Sequence, residues 1–179
     1  MIFDFDDHCE ANNAMPYMTR LKEINPAFKA TLFAIPAHGD EDFWNDHPDW
    51  IELAGHGWSH PDPREAEHWS YDQAVDVLLA LPERFVDGWK SPGWLSSPGV
   101  YDACRDMGFW IADQHLADGK RPVDLPAYLW EDGDNWHGHV QNVCGNGLGE
   151  TWSKVCELVE RAGSFEFASD GAAVLMMPL

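Results

Sequence analysis

Apolar residues in this chain fall in short runs, separated by stretches in which they recur every three or four positions. "MIFDFDD" alternates: Phe3 and Phe5 share one side, and Ile2, Asp4 and Asp6 share the other, which predicts a strand with two unlike faces. "FKATLFAIP" is a run of β-favouring residues stopped by Pro36 and predicts a buried strand. "WIELAG" is a further short apolar run, and "DGWK", "FWIADQH", "NWHGHV" and "SFEFASD" read as the remaining strands. Between them lie helical patterns. "ANNAMPYMTRLKEINP" closes at Asn25-Pro26, and "SYDQAVDVLLALPERF" repeats apolar residues at Ala74, Val77, Leu78 and Leu81 behind Ser70 as N-cap. "GVYDACRDMG" ends at Gly108, and "ETWSKVCELVERAG" runs from near Thr151 to just before Gly163. "EDFWNDHPDW" reads as a polar connector and "CGNGLGE" as a glycine-rich loop.

Strand and helix alternate, with no repeat or linker, so residues 1–179 are expected to form one domain of parallel strands covered by helices. That pattern fits a barrel or a doubly wound sheet, and in both, function gathers at the carboxyl ends of the strands. Asp6 and Asp7 sit at such an end.

Charge narrows the partners. Eleven Lys and Arg against 31 Asp and Glu give a net charge of −20, which repels phosphate backbones and anionic lipid. Neither nucleic acid nor a membrane is expected as a partner, whereas neutral substrates and bound cations are compatible. Ten tryptophans supply core, and also flat faces of the kind that stack on sugar rings. No basic segment followed by an apolar one marks a signal peptide, and no run of about 18 apolar residues marks a membrane span. Four cysteines (Cys9, Cys104, Cys144 and Cys156) form no C-x-x-C pair and read as free thiols. A cytoplasmic protein is expected.

The chemistry is carried by two short segments. In "LAGHGWSHPDP", His56 and His60 are four apart after an apolar strand, in a turn that Gly55, Gly57 and Pro61 keep from becoming a long helix. Two imidazoles so placed suit a divalent ion of the zinc type. Adding Asp7 makes three protein ligands with a position left for water, the arrangement of a catalytic rather than a structural site. Asp6 then has a use as a base beside the ion, and the dication offsets the repulsion between neighbouring acids.

"FDFDDHC" and "HGWSH" resemble the first two motifs of the polysaccharide deacetylases, carbohydrate esterase family 4 or the NodB-homology fold. "WKSPGW", "FWIADQH", "NWHGHV" and "SFEFASD" follow in the order of that family's later motifs and final strand, so the resemblance spans the chain. It implies a distorted (β/α) barrel of about seven parallel strands. It also implies hydrolysis of the N-acetyl group of an amino sugar or glycan around one divalent ion. That ion would be Zn²⁺, with Co²⁺, Ni²⁺ or Mn²⁺ as alternatives. The resemblance assigns Asp7, His56 and His60 to the metal, Asp6 to the general base, and His137 or His139 to the general acid. His137 is preferred because it follows Trp136. Pro92 and Trp94 would line one wall of the groove, Asp113 would help form the site from its strand end, and Trp58, Trp89 and Trp94 are candidates to stack on sugar.

Four departures from the family pattern bear on the site. Lys90 stands where arginine usually braces the catalytic aspartate, keeping the charge but losing the planar fork. Gly57 replaces the usual Ser or Thr. Asp4 replaces a common Thr or Ser; if it points inward it needs a proton or a partner, and Lys90 is the candidate. His8 takes a position often held by Gly and is expected to line the pocket. Two other functions fit the same residues: hydrolysis of a cyclic amide such as an imide, and sugar binding by a relative that has lost catalysis.

Overall fold

"ATLFA" (β2, Ala30–Ala34) and "IELAGH" (β3, Ile51–His56) are buried at every residue. Such strands belong at the centre of a parallel sheet covered on both faces. The computed structural model describes residues 1–114, 121–131, 133–140 and 151–173. In it β1 (Phe3–His8), β2, β3, β4 (Gly88–Lys90), β5 (Trp110–Asp113), β6 (Ala127–Leu129) and β7 (Trp136–His139) form one sheet in the order β6-β5-β4-β3-β2-β1-β7. Every neighbouring pair is parallel. The sheet curls into a half-barrel, the distorted (β/α) barrel that the resemblance implies and one of the two architectures that the alternation of elements allows. β6 was not anticipated, because "AYL" is too short to show a period.

The helices are α1 (Met15–Ile24), α2 (Glu41–Asn45), α3 (Tyr71–Leu79), α4 (Pro98–Met107), α5 (Thr151–Arg161) and α6 (Ala168–Gly171). The predicted caps form. Ser70 Oγ accepts from Gln73 N while Gln73 Oε1 accepts from Ser70 N, and Gly108 ends α4 at φ 79°. The connector "EDFWNDHPDW" contains α2, started by Asp40, whose side chain accepts from Phe43 N. Among the described residues no helix is long and apolar enough to cross a membrane, and Cys9, Cys104 and Cys156 are free. Cys144 and "CGNGLGE" lie outside the described residues.

Alternation along β1 divides the core. Phe3 and Phe5 pack outward with Met18, Leu21, Phe28, Val155 and Val159. Ile2 packs inside the curl with Phe33, Ala54, Trp110, Tyr128 and Ala168. The predicted last strand is a correction. Glu166 makes a single bridge to Ile2, and the chain then turns into α6. The cause lies in two inward polar side chains. Thr31 Oγ1 accepts from Ala168 N at 2.8 Å, and Glu52 accepts from both the backbone and the hydroxyl of Ser169. These acceptors take the amides at the start of α6, which plugs the curl at the end away from the strand carboxyl termini.

His8 also departs from expectation. It is fully buried and turned away from the pocket, with Nε2 2.8 Å from His47 Nε2. His47 Nδ1 donates to Trp44 O and His8 Nδ1 accepts from Ala14 N, so His8 Nε2 carries the one shared proton. Both rings are then neutral and satisfied, and protonating either breaks a bond. Burial and the facing His47 push His8 down to about 3. The unfolded chain takes up a proton below about pH 6.5 that the folded chain refuses, so this stability is present above pH 6.5 and lost as pH falls. We expect about 2 kcal/mol to be lost between pH 7 and pH 5 from this group. Urea unfolding at the two pH values should show that loss shrink by a similar amount in His8→Gln; an unchanged difference would refute the neutral pair.

Candidate active site

In a straight strand, consecutive residues point to opposite faces, so Asp6 and Asp7 should not meet. They meet because β1 is not straight at its end. The β1–β2 register shifts between Phe5 and His8, and Asp7 adopts φ 65°. Aspartate tolerates that left-handed conformation better than most residues, and Asn12 Nδ2 pins it by donating to Asp7 O at 2.9 Å. Both carboxylates then face His56: Nε2 is 3.6 Å from Asp6 Oδ2 and 3.5 Å from Asp7 Oδ1.

His56 is the last residue of β3, and its Nδ1 donates to Lys90 O at 3.1 Å, which leaves a lone pair on Nε2. The chain then turns through Gly57 at φ 66° and His60 at φ 47°. This brings His60 Nε2 to 3.4 Å from Asp7 Oδ1. The ligand-capable atoms of Asp7, His56 and His60 all lie within 4.8 Å of one another. Two imidazoles, one with its tautomer set by a carbonyl, and one carboxylate form a donor set suited to a borderline divalent ion. Asp6, His137 and His139 converge as closely, but the Lys90 ammonium already sits 2.6 Å from Asp6 Oδ1 and opposes a second cation.

Lys90 is buried inside the curl. Its Nζ lies 2.6 Å from Asp6 Oδ1 and 3.4 Å from Asp4 Oδ1, beneath the ring of Trp94 at 3.9 Å. Asp4 thus points inward and is paired, as its position demanded. It also holds His137: Asp4 Oδ1 is 2.6 Å from His137 Nδ1, while Oδ2 accepts from Tyr128 OH at 2.8 Å. With Nδ1 so engaged, His137 turns Nε2 toward Asp6 Oδ2 at 3.8 Å; His139 Nε2 is 3.9 Å from the same oxygen. Burial alone would raise the Asp6 carboxyl, but Lys90, His56 and His137 outweigh it and the net direction is down. Desolvation lowers His139 despite Asp6 and Asp7, so that less of it carries a proton to give at neutral pH. Burial and Asp4 raise the Tyr128 phenol, which stays a donor.

The remaining expected residues separate. Trp94, at φ 62° after the turn begun by Pro92, has its ring 5.3 Å from His137 and stacks at 6.3 Å on Trp130, itself 5.4 Å from His137. Pro92 is buried against Gly57. Trp58 is half-buried on the His56–His60 turn. Trp89 is wholly buried and donates to Ser91 Oγ, so it is core and not a stacking surface. Asp113 is buried in a separate group, accepting from Arg121 Nη1 and Tyr101 OH at 3.2 Å each and from Gln114 N at 2.8 Å. Sequence reasoning missed Tyr128, Trp130 and Glu65. None stands in a motif, and only the fold brings them to the site.

The sheet order and its curl are those of a distorted (β/α) barrel, a fold shared with solved structures of family 4 carbohydrate esterases. No protein-family model matches the chain, and no curated protein matches its sequence. Solved structures do. A family 4 acetyl xylan esterase from Clostridium thermocellum in complex with a cobalt ion aligns with TM-score 0.62 and 13% identity, over 94% of this chain and 88% of that one. A peptidoglycan N-acetylglucosamine deacetylase aligns with TM-score 0.60 and 16% identity, over 95% and 86%. A family 4 pseudoenzyme from Bacillus anthracis aligns with TM-score 0.63 and 17% identity, over 95% and 64%. At these identities the shared property is the fold.

Proposed function

We propose that this protein is a divalent-metal-dependent hydrolase that removes the acetyl group from the nitrogen of an N-acetylated amino sugar. One observation carries the reading. The Asp7, His56 and His60 cluster stands beside an aspartate with its own buried counter-ion, across from a histidine held by a second carboxylate. The cobalt ion of the C. thermocellum esterase supports a metal in this fold, and Zn²⁺ or Co²⁺ suits the donor set here.

Asp7, His56 and His60 would hold the divalent ion, which when bound would supply Lewis acidity to polarise a carbonyl and lower the pKa of water. Asp6 accepts the proton of the attacking water on Oδ2, since Oδ1 is engaged by Lys90. Lys90 keeps that carboxylate anionic in a buried setting. His137 delivers a proton from Nε2 to the departing nitrogen, while Asp4 holds Nδ1 and stabilises the charged ring. Trp94 and Trp130 offer an apolar wall beside His137 on which a sugar ring can stack. A neutral glycan also suits a chain of net charge −20.

Acetate release from N-acetylglucosamine oligomers, alongside cyclic imides, tests the reading. Release should stop with a chelator and return with Zn²⁺ or Co²⁺. Ring opening of an imide without acetate release would replace the reading by the cyclic-amide one. Sugar binding with no turnover of any substrate would make the protein a binding module.

A further inference from the structure

The turn that presents His60 is organised by a carboxylate from outside it. Trp58 N, Ser59 N and His60 N all donate to Glu65: Trp58 and His60 to Oε2 at 3.0 and 3.1 Å, Ser59 to Oε1 at 3.1 Å. Ser59 Oγ adds a fourth bond to Oε1 at 3.3 Å. Successive N–H groups converging in this way make a nest for an anion, and here the chain supplies the anion itself. The backbone needs such a hold, because Gly57 and His60 both sit at positive φ. Residue 57 belongs to the same arrangement: a Cβ there would come within 2.2 Å of Glu65 Oε2. The missing side chain at 57 leaves room for that carboxylate and for Pro92, whose Cγ would lie 2.8 Å from the same Cβ.

We propose that Glu65 is a positioning residue for the metal centre, setting the backbone of His60 and hence the direction of Nε2 toward Asp7. The proposal rests on the reading of Asp7, His56 and His60 as metal ligands. Glu65 is not a ligand in this scheme, since both its oxygens are used on the turn. His56 needs no such help, being held by β3 and by Lys90 O. The effect of losing Glu65 therefore falls on one ligand of three.

The test is Co²⁺ affinity of the apo full chain, measured by chelator competition, together with the visible absorption of the Co²⁺ form and melting of the metal-free protein. Glu65→Gln keeps the shape and removes the charge, and Glu65→Ala removes both. Each should weaken Co²⁺ binding by about 10- to 100-fold and change the visible band, with the metal-free melting temperature close to wild type. Gly57→Ala should weaken binding in both backgrounds, by less in Glu65→Ala, because the collision with Oε2 is gone while the contact with Pro92 Cγ at 2.8 Å and the positive φ remain. Wild-type affinity and an unchanged band in both Glu65 variants would overturn the proposal. So would a metal-free melting temperature that falls while the folded fraction keeps wild-type affinity, since Glu65 is then a structural residue only. A wild-type chain that binds no Co²⁺ would instead refute the metal reading itself.

Discussion

Asp6→Asn should reduce deacetylation by roughly 10²- to 10⁴-fold and leave the metal content unchanged, whereas Asp7→Asn should lose both. The division follows from what each carboxylate touches. Asp7 Oδ1 lies within 3.5 Å of His56 Nε2 and 3.4 Å of His60 Nε2, so an amide there removes the only anionic member of the donor set. Asp6 Oδ1 is tied to Lys90 at 2.6 Å, which on the proposed reading leaves Oδ2 to act as the base and not as a ligand. The fold should survive Asp6→Asn because Lys90 retains Asp4 at 3.4 Å, so no buried charge is stranded. Metal analysis of the purified variants beside initial rates is the measurement. If the two substitutions have the same effect on metal content, neighbouring acids do not divide the work and the assignment of the base fails.

The second large effect is expected at Asp4, a fully buried residue outside the Asp7, His56 and His60 cluster. Its carboxylate holds His137 Nδ1 at 2.6 Å, and an asparagine can no longer stabilise the charged ring or select the tautomer. Asp4→Asn should lower turnover of an N-acetyl sugar by about 10²- to 10⁴-fold with metal content intact. An activated phenyl acetate, whose leaving group departs without a proton, should lose far less. His137→Ala should show the same split between amide and ester, and His139→Ala a milder loss without it. Equal losses on both substrates in Asp4→Asn would mean that Asp4 supports the site only structurally. A split at His139 and not at His137 would move the acid to the other histidine.

The positions of these residues were legible to different degrees, and the differences have physical causes. Six of the seven strands, the main helices and their caps were readable because they depend on short-range patterns: alternation in "MIFDFDD", the helical period behind Ser70, the left-handed stop at Gly108. The convergence of Asp7, His56 and His60 was readable because strand ends in such a sheet collect at one rim, and two motifs lay at two strand ends. The final strand was misread because β propensity in "SFEFASD" was outweighed by Thr31 and Glu52, side chains more than 100 residues away. Trp89 sits in a motif and was a candidate to stack on sugar, yet the register of β4 turns it into the core.

By itself, then, the sequence determined which residue types stand at the rim of the sheet, because local backbone preference and spacing are properties of neighbours along the chain. The partnerships were decided only by the tertiary structure. Asp4 meets His137 across 133 residues, as β1 lies beside β7, and Lys90 reaches Asp6 across 84. Glu65, close in sequence to His60, acquires its role only when the turn closes around it. Hydrogen bonds and ion pairs depend on distances of a few ångströms in three dimensions, and sheet register and curl, rather than residue order, set those distances.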